Sequence, residues 1–284
     1  FLIMGTIVLV LGVILKFVLD RAVFYDLPIY IICVGIALLI FIGMIFVLFC
    51  MVLIMPSEEY ETVNYDIPNM RDYYTHIKGN GEDKVTLMVY MVGSDLESDG
   101  GAASEDIAEM TAANADNINI TLQTGGAAAW ENASISDGKT ERHIIKNGEL
   151  QNVENLGEAQ MTSPNTLTDF IKWSASNYPA DRYELVLWNH GGGTALGFGY
   201  DEMYPDDMLS LSQIGNALSD SGIKFDIVGF DACLMGAIET AYMLEPYADY
   251  LVASEEYEPG TGWYYSEWLK NLSLTNFKIV LLYY

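Results

Sequence analysis

Tyr183-Glu-Leu-Val-Leu-Trp-Asn-His-Gly-Gly-Gly193 is the stretch on which the fold turns. Its first six residues form an apolar run broken only by Glu184, the pattern of a strand buried on both faces. The run passes straight into Asn189, His190 and three glycines. In an open α/β sheet, the crevice outside the carboxyl ends of the strands is where ligands sit. A second stretch repeats the arrangement: Phe225-Asp-Ile-Val-Gly-Phe230 is an apolar strand that meets Asp231-Ala-Cys233. A third strand, Tyr250–Ala253, is followed by Ser254-Glu-Glu-Tyr-Glu-Pro-Gly-Thr-Gly262. Three loops at one sheet edge would build one cleft.

Working outward, Val85–Val92 is another continuous apolar run, and Ile118–Leu122 is a further short strand. Between them Ser104-Glu-Asp-Ile-Ala-Glu-Met110 predicts a helix capped by Ser104. Arg142–Leu150 carries Asn147-Gly148 at its centre, a hairpin signal. Ser163-Pro164 opens a helix whose apolar face is Leu167, Phe170, Ile171 and Trp173. Leu211–Leu218 predicts another, stopped by Gly222, and a third is expected from Leu234 to about Leu244. Strands alternating with helices imply right-handed crossovers and a mostly parallel sheet.

The N-terminal part has a different character. Phe1–Leu19 is apolar apart from Lys16 and as a helix spans about 28 Å, close to a bilayer core. Ile29–Met55 runs 27 residues without a charge. Residues 1–55 are therefore expected to form a transmembrane helical hairpin, with 56–83 as a polar linker. Lys16 and Arg21 flank the short turn, whereas Pro56–Met70 holds no basic residue. The positive-inside rule then places the turn in the cytoplasm and the large domain outside the cell membrane.

The 284 residues carry a formal net charge of −26, with 13 Lys and Arg against 39 Asp and Glu. Setting aside Lys16, Arg21, Asp20 and Asp26 leaves 11 basic residues and 37 acids, so the whole excess lies beyond the hairpin. Such a surface repels phosphate and excludes a nucleic-acid binder, while it suits basic substrates or cations. Three cysteines form no disulfide framework, and Cys233 alone lies outside the apolar N-terminal region.

Chemistry converges on His190 and Cys233. Cys233 is expected at the start of the Leu234 helix, where unpaired N–H groups and the helix dipole favour a thiolate. The Gly191–Gly193 run keeps the backbone bare, so that an N–H can approach a developing oxyanion. Imidazole, thiol and amide donors are the parts of acyl transfer through a thioester. Alone, His190 would be a satisfied structural histidine and the glycines a turn. The serine-esterase alternative fails because no serine has a glycine two residues before it. Gly197-Phe-Gly199 lacks the third glycine of a dinucleotide loop, and there is no Gly-Lys-Ser/Thr. His76, His143, His190 and Cys233 stand at no zinc spacing.

Trp188-Asn-His-Gly-Gly-Gly193 and Phe230-Asp-Ala-Cys-Leu-Met-Gly236 resemble the histidine and cysteine blocks of the clostripain family of cysteine peptidases. Glu255-Glu-Tyr-Glu-Pro-Gly-Thr-Gly-Trp263 resembles its third block. The resemblance runs from about Lys84 to Leu269 and implies a caspase-like α/β fold. It implies a peptidase domain over 84–270, with 271–284 unassigned and a truncated C-terminus expected, since family members usually continue further. It also implies His190 and Cys233 as the catalytic dyad, and Asp231 as the acid lining the pocket for a basic P1 side chain.

The expectation is thus a membrane-anchored cysteine endopeptidase cleaving after Arg or Lys. Cys233 is its nucleophile, and the N–H groups of Gly191 and Cys233 hold the oxyanion. No cofactor is required. Calcium remains an option, because the family can use it and Asp201-Glu-Met-Tyr-Pro-Asp-Asp207 is rich in oxygen ligands, although a solvated loop is the plainer reading. The rival readings are a catalytically inactive surface module of the same fold, and a transamidase using the same acyl-enzyme. A basic residue for self-cleavage is missing from Gly191 to Ile223, so no maturation cut is expected there.

Overall fold

Val85–Val92 forms strand β1 with all eight residues buried. An uninterrupted apolar run offers no polar face to water and must be covered on both sides. The computed structural model describes residues 43, 82–113, 115 and 118–274. The expected membrane hairpin, nearly all of the linker and the tail from 275 onward lie outside the described residues. Among the described residues, no helix is long and apolar enough to cross a membrane.

The other strands are β2 (Ile118–Gly125), β3 (Glu141–Lys146), β4 (Glu149–Asn155), β5 (Arg182–Trp188), β6 (Phe225–Asp231) and β7 (Ala248–Val252). They form one seven-stranded sheet in the order β4-β3-β2-β1-β5-β6-β7. β1, β2, β5, β6 and β7 run parallel. β3 and β4 are antiparallel additions at one edge. Asn147 and Gly148 join those two with φ of 53° and 71°, the left-handed pair that a tight hairpin turn requires. The mostly parallel sheet with flanking helices matches the expectation.

Helices α1 (Ser94–Ser98) and α2 (Ala102–Ala112) follow β1. They are joined by α3 (Pro164–Asn177), α4 (Gly193–Leu196), α5 (Leu211–Ser221), α6 (Ile238–Leu244) and α7 (Tyr265–Leu274). Side chains alternate across each strand, so the sheet has two apolar faces. On one, Leu87, Val89, Met91 and Val186 pack with Ile107 and Met110 of α2 and Leu269 of α7. On the other, Met88, Tyr90, Leu185 and Leu187 pack with Phe170 of α3 and Ile214 and Leu218 of α5.

Two expectations about helix starts are corrected. Ser104 lies inside α2, which is preceded by Gly101 in the left-handed conformation, φ 66°. The first turn is served by an upstream carboxylate: Glu97 accepts the N–H of Ser104 at 2.8 Å. The helix expected from Leu234 begins only at Ile238. Leu234 turns with φ 64°, and the segment bonds sideways to the loop after β7. Leu234 N–H donates to the Glu256 carbonyl at 3.0 Å and Gly236 N–H to that of Ser254 at 2.7 Å. Those bonds occupy the chain that would otherwise have coiled.

Candidate active site

β5 and β6 are neighbours, and Trp188 is paired with Asp231 at their carboxyl ends. His190 and Cys233 each lie two residues beyond that pair. Contact follows from the backbone alone: a Cβ added to Gly191 would stand 2.0 Å from the Cys233 carbonyl oxygen and 2.9 Å from Met235 Cγ. Only a glycine lets the two strand exits approach this closely. The loop after β7 joins them, since Glu258 N–H donates to Cys233 Sγ at 3.3 Å. The structure therefore brings the three predicted loops together. Cys233 is half-buried with a free thiol. The dipole of α6 is not its partner, because that helix starts five residues later. The Glu258 amide fixes the sulfur instead. Among the described residues, neither the Gly191 N–H nor the Cys233 N–H donates to a protein acceptor.

The histidine exit is bolted to the exit of β1. Asn189 is buried, and its side-chain amide donates to the Val92 carbonyl and to Ser94 Oγ, the latter at 2.8 Å. Its Oδ1 accepts the N–H of Tyr200. The His190 carbonyl accepts Gly199 N–H at 3.0 Å. Ser94 holds φ 53°, a conformation that costs a non-glycine residue on the order of 1–3 kcal/mol and persists only where surrounding bonds dictate it. One residue further along each chain, His190 Nε2 lies 2.9 Å from Asp95 Oδ1. Burial alone would raise the Asp95 carboxyl, but the hydrogen bond and charge of His190 outweigh it and hold it below its ordinary range.

Asp231 points into an aromatic wall. Its Oδ2 accepts the Tyr265 hydroxyl at 2.9 Å and the Trp263 N–H at 3.3 Å. Two further acids surround it. A Cβ on Gly262 would sit 3.1 Å from Asp231 Oδ1 and 3.5 Å from Asp106 Oδ2. Asp106 Oδ2 accepts Trp188 Nε1–H at 2.7 Å. Glu258 receives Trp263 Nε1–H at 3.4 Å. Burial, and then the neighbouring Asp231 charge, pushes Asp106 up to about 8. Burial raises Asp231, against the opposing hydrogen bonds of Tyr265 and Trp263. Glu258 is raised by burial and by Asp231. Three carboxyls, each raised above its ordinary range mainly by burial, thus gather around Gly262 and Trp263.

Sequence reasoning did not single out Asp95, Asp106 or Glu258 as functional. Glu258 stood inside the quoted third block, but Asp95 and Asp106 needed the knowledge that β1 lies beside β5. The acidic loop Asp201–Asp207 is spent on donors. Asp201 is buried and accepts the N–H groups of Met161 (2.8 Å) and Met203 (2.9 Å). Glu202 accepts from Ser98 and the Ala128 amide, and Asp207 from Gln160. Among the described residues, no group of three or more His, Cys, Asp or Glu is placed to hold a metal. His143 is buried in the sheet beside Thr124, and desolvation lowers its ring to about 4.

Comparison with known proteins supplies the context. The model of the clostripain family matches residues 89–278. Clostripain from Hathewaya histolytica is 31% identical over 225 residues, 66% of this chain and 42% of that protein. The structure of a secreted cysteine protease from Bacteroides thetaiotaomicron, in complex with an irreversible peptide inhibitor, gives a TM-score of 0.55 at 25% identity. It covers 65% of this chain and 52% of that one. A second secreted cysteine protease structure from the same organism gives 0.54 at 20% identity, a likeness of fold. The chain spans about half the length of these relatives, or less.

Proposed function

The chain belongs to the clostripain family, and on that premise we propose that it is a cysteine endopeptidase cleaving after Arg or Lys through His190 and Cys233. The observation that carries this is the pairing of Trp188 with Asp231, which sets histidine and cysteine at the same height on adjacent parallel strands. Cys233 Sγ attacks the scissile carbonyl carbon, and His190 takes the thiol proton and returns one to the leaving amine. The oxyanion formed in that step is held by the N–H groups of Gly191 and Cys233. Water then hydrolyses the thioester. Asp231 receives the P1 guanidinium or ammonium, with Glu258 and Asp106 beside it. Burial raises all three acids, and an entering cation favours their ionised forms.

The apolar runs in 1–55 support an anchoring hairpin, and the basic residues of its turn support an extracellular catalytic domain over about 84–270. Catalysis needs no cofactor in this reading, and turnover should persist in excess EGTA. The decisive experiment is hydrolysis of fluorogenic arginyl and lysyl peptides by the full chain. Cys233→Ala and His190→Ala should each abolish turnover while the protein stays folded. Persistent turnover in Cys233→Ala would refute the mechanism.

A further inference from the structure

We infer that Asp95 is a positioning residue for His190: its carboxylate takes the Nε2–H of the ring, fixes the tautomer and leaves Nδ1 as the nitrogen that exchanges the proton. The inference rests on the reading of His190 and Cys233 as the dyad, and goes beyond it by adding a third member from the chain that leaves β1.

Three observations carry it. The first is chemical. An ionised carboxylate only accepts hydrogen bonds, so at 2.9 Å from Asp95 Oδ1 the proton must sit on Nε2. Among the described residues, Nδ1 has no hydrogen-bond partner. The second is architectural. Ser94 and Asn189, the residues just before Asp95 and His190, are bonded to each other at 2.8 Å. Ser94 N–H is further tied to the Gly126 carbonyl at 3.2 Å, and Ser94 keeps a left-handed backbone with a side chain that is not glycine. The chain is bent out of β1 at this residue, and the next side chain meets the histidine. The third concerns magnitude. The two side chains are 48% and 40% exposed, and a pair this open contributes little to stability. A bent and tightly bonded backbone that ends in such a pair has its effect on the ring.

When Cys233 gives up its proton, the ring becomes an imidazolium with Nε2–H on Asp95 and Nδ1–H directed to the leaving amine. No atom of Asp95 changes its bonds. Without the carboxylate, the ring can rotate or take the other tautomer, which presents a proton where a lone pair is needed.

The test compares Asp95→Ala and Asp95→Asn in the full chain, with Cys233→Ala and His190→Ala alongside. Asp95→Ala should lower kcat on an arginyl peptide roughly 10- to 100-fold, a fraction of what general acid–base catalysis supplies. KM, the inhibition constant of agmatine and the melting temperature should stay near the parent's. Asp95→Asn keeps an acceptor oxygen but no charge. It should recover part of kcat, with the acidic limb of the pH profile, where the base His190 takes up a proton, moved to lower pH. Should Asp95→Ala fail to fold, the isosteric Asn variant reads out the same profile. A kcat within about threefold of the parent, with an unmoved profile, would overturn the role. So would a loss of kcat matched by equal losses in agmatine binding and melting temperature. If Cys233→Ala and His190→Ala retain turnover, the dyad falls and the role of Asp95 falls with it. If they are dead while Asp95→Ala is fully active, only the present inference fails.

Discussion

Gly191→Ala isolates the contact that joins the two strand exits. The new methyl would stand 2.0 Å from the Cys233 carbonyl oxygen, 3.1 Å from its carbon and 2.9 Å from Met235 Cγ. A Cβ rarely approaches another heavy atom within about 3 Å, so the gap must open by roughly 1 Å. The methionine side chain can give way, but the carbonyl cannot move without carrying Cys233 with it. The ladder resists, because Asn189 N–H is bonded to the Asp231 carbonyl at 3.2 Å just behind the contact. Displacement therefore falls on the thiol, on the Gly191 N–H, or on both. Misplacement by 1 Å costs about 10²-fold. Loss of one oxyanion donor costs about 10²–10³-fold. These are one event seen twice, so kcat should drop about 10²–10³-fold, not by the product. The overpacking itself costs about 1–3 kcal/mol, which leaves the domain folded. Gly193→Ala is the internal control. Gly193 has φ 64° and its nearest neighbour, the Leu234 carbonyl oxygen, would be 3.4 Å from the methyl. Its cost is backbone conformation, roughly 1–2 kcal/mol of stability, with no push on Cys233. Turnover of an arginyl peptide and thermal melting by circular dichroism read both effects. Gly191→Ala within tenfold of the parent, or Gly193→Ala the more damaging of the two, would refute the argument.

Removing the Asp231 carboxylate should cut kcat/KM on arginyl peptides more than tenfold, since losing one partner of a buried charge pair costs about 2–5 kcal/mol; an Asp231→Ala enzyme that keeps its arginine preference would assign the pocket to its neighbours. Burial raises Asp106 to about 8, and Glu184 in β5 likewise to about 8. A raised carboxyl binds more protons folded than unfolded, so its stabilisation is lost as pH rises through the folded value. Melting temperature should therefore fall between pH 6.5 and 8, and Asp106→Asn should flatten that fall; an unchanged slope in the variant would mean that Asp106 is ionised throughout. Active protein should run as one chain on a denaturing gel. Lys224, the first basic residue after His190 in the sequence, precedes β6 and is held by Asp249 at 2.9 Å, so two associated fragments cut between Gly191 and Ile223 would contradict this.

The strands were legible because their signal is local. Val85–Val92 has the same bounds in sequence and structure, and Tyr183–Trp188 and Phe225–Phe230 differ by a single residue. Apolar runs of that length have one way to be buried. His190 and Cys233 were legible for the same reason, each being attached to the end of such a run. What failed depended on partners far away in sequence. Ser104 looks like a cap until Glu97 folds back upon it. The Leu234 helix looks plausible until Ser254 and Glu256 take its first amides. Asp95 carries no signal of its own, since its meaning comes from β1 lying beside β5 across more than ninety intervening positions.

The matched ends of β5 and β6 act as a gauge. Neighbouring strands stand about 4.8 Å apart whatever connects them, so the reach from imidazole to sulfur is inherited from the sheet. The 43 positions separating His190 from Cys233 do not enter that distance. A lengthened turn at Gly222, on the far side of the crossover, leaves the gauge untouched. A slip of one residue between the two strands would turn one of the two side chains to the opposite face and dismantle the site without altering any residue in it.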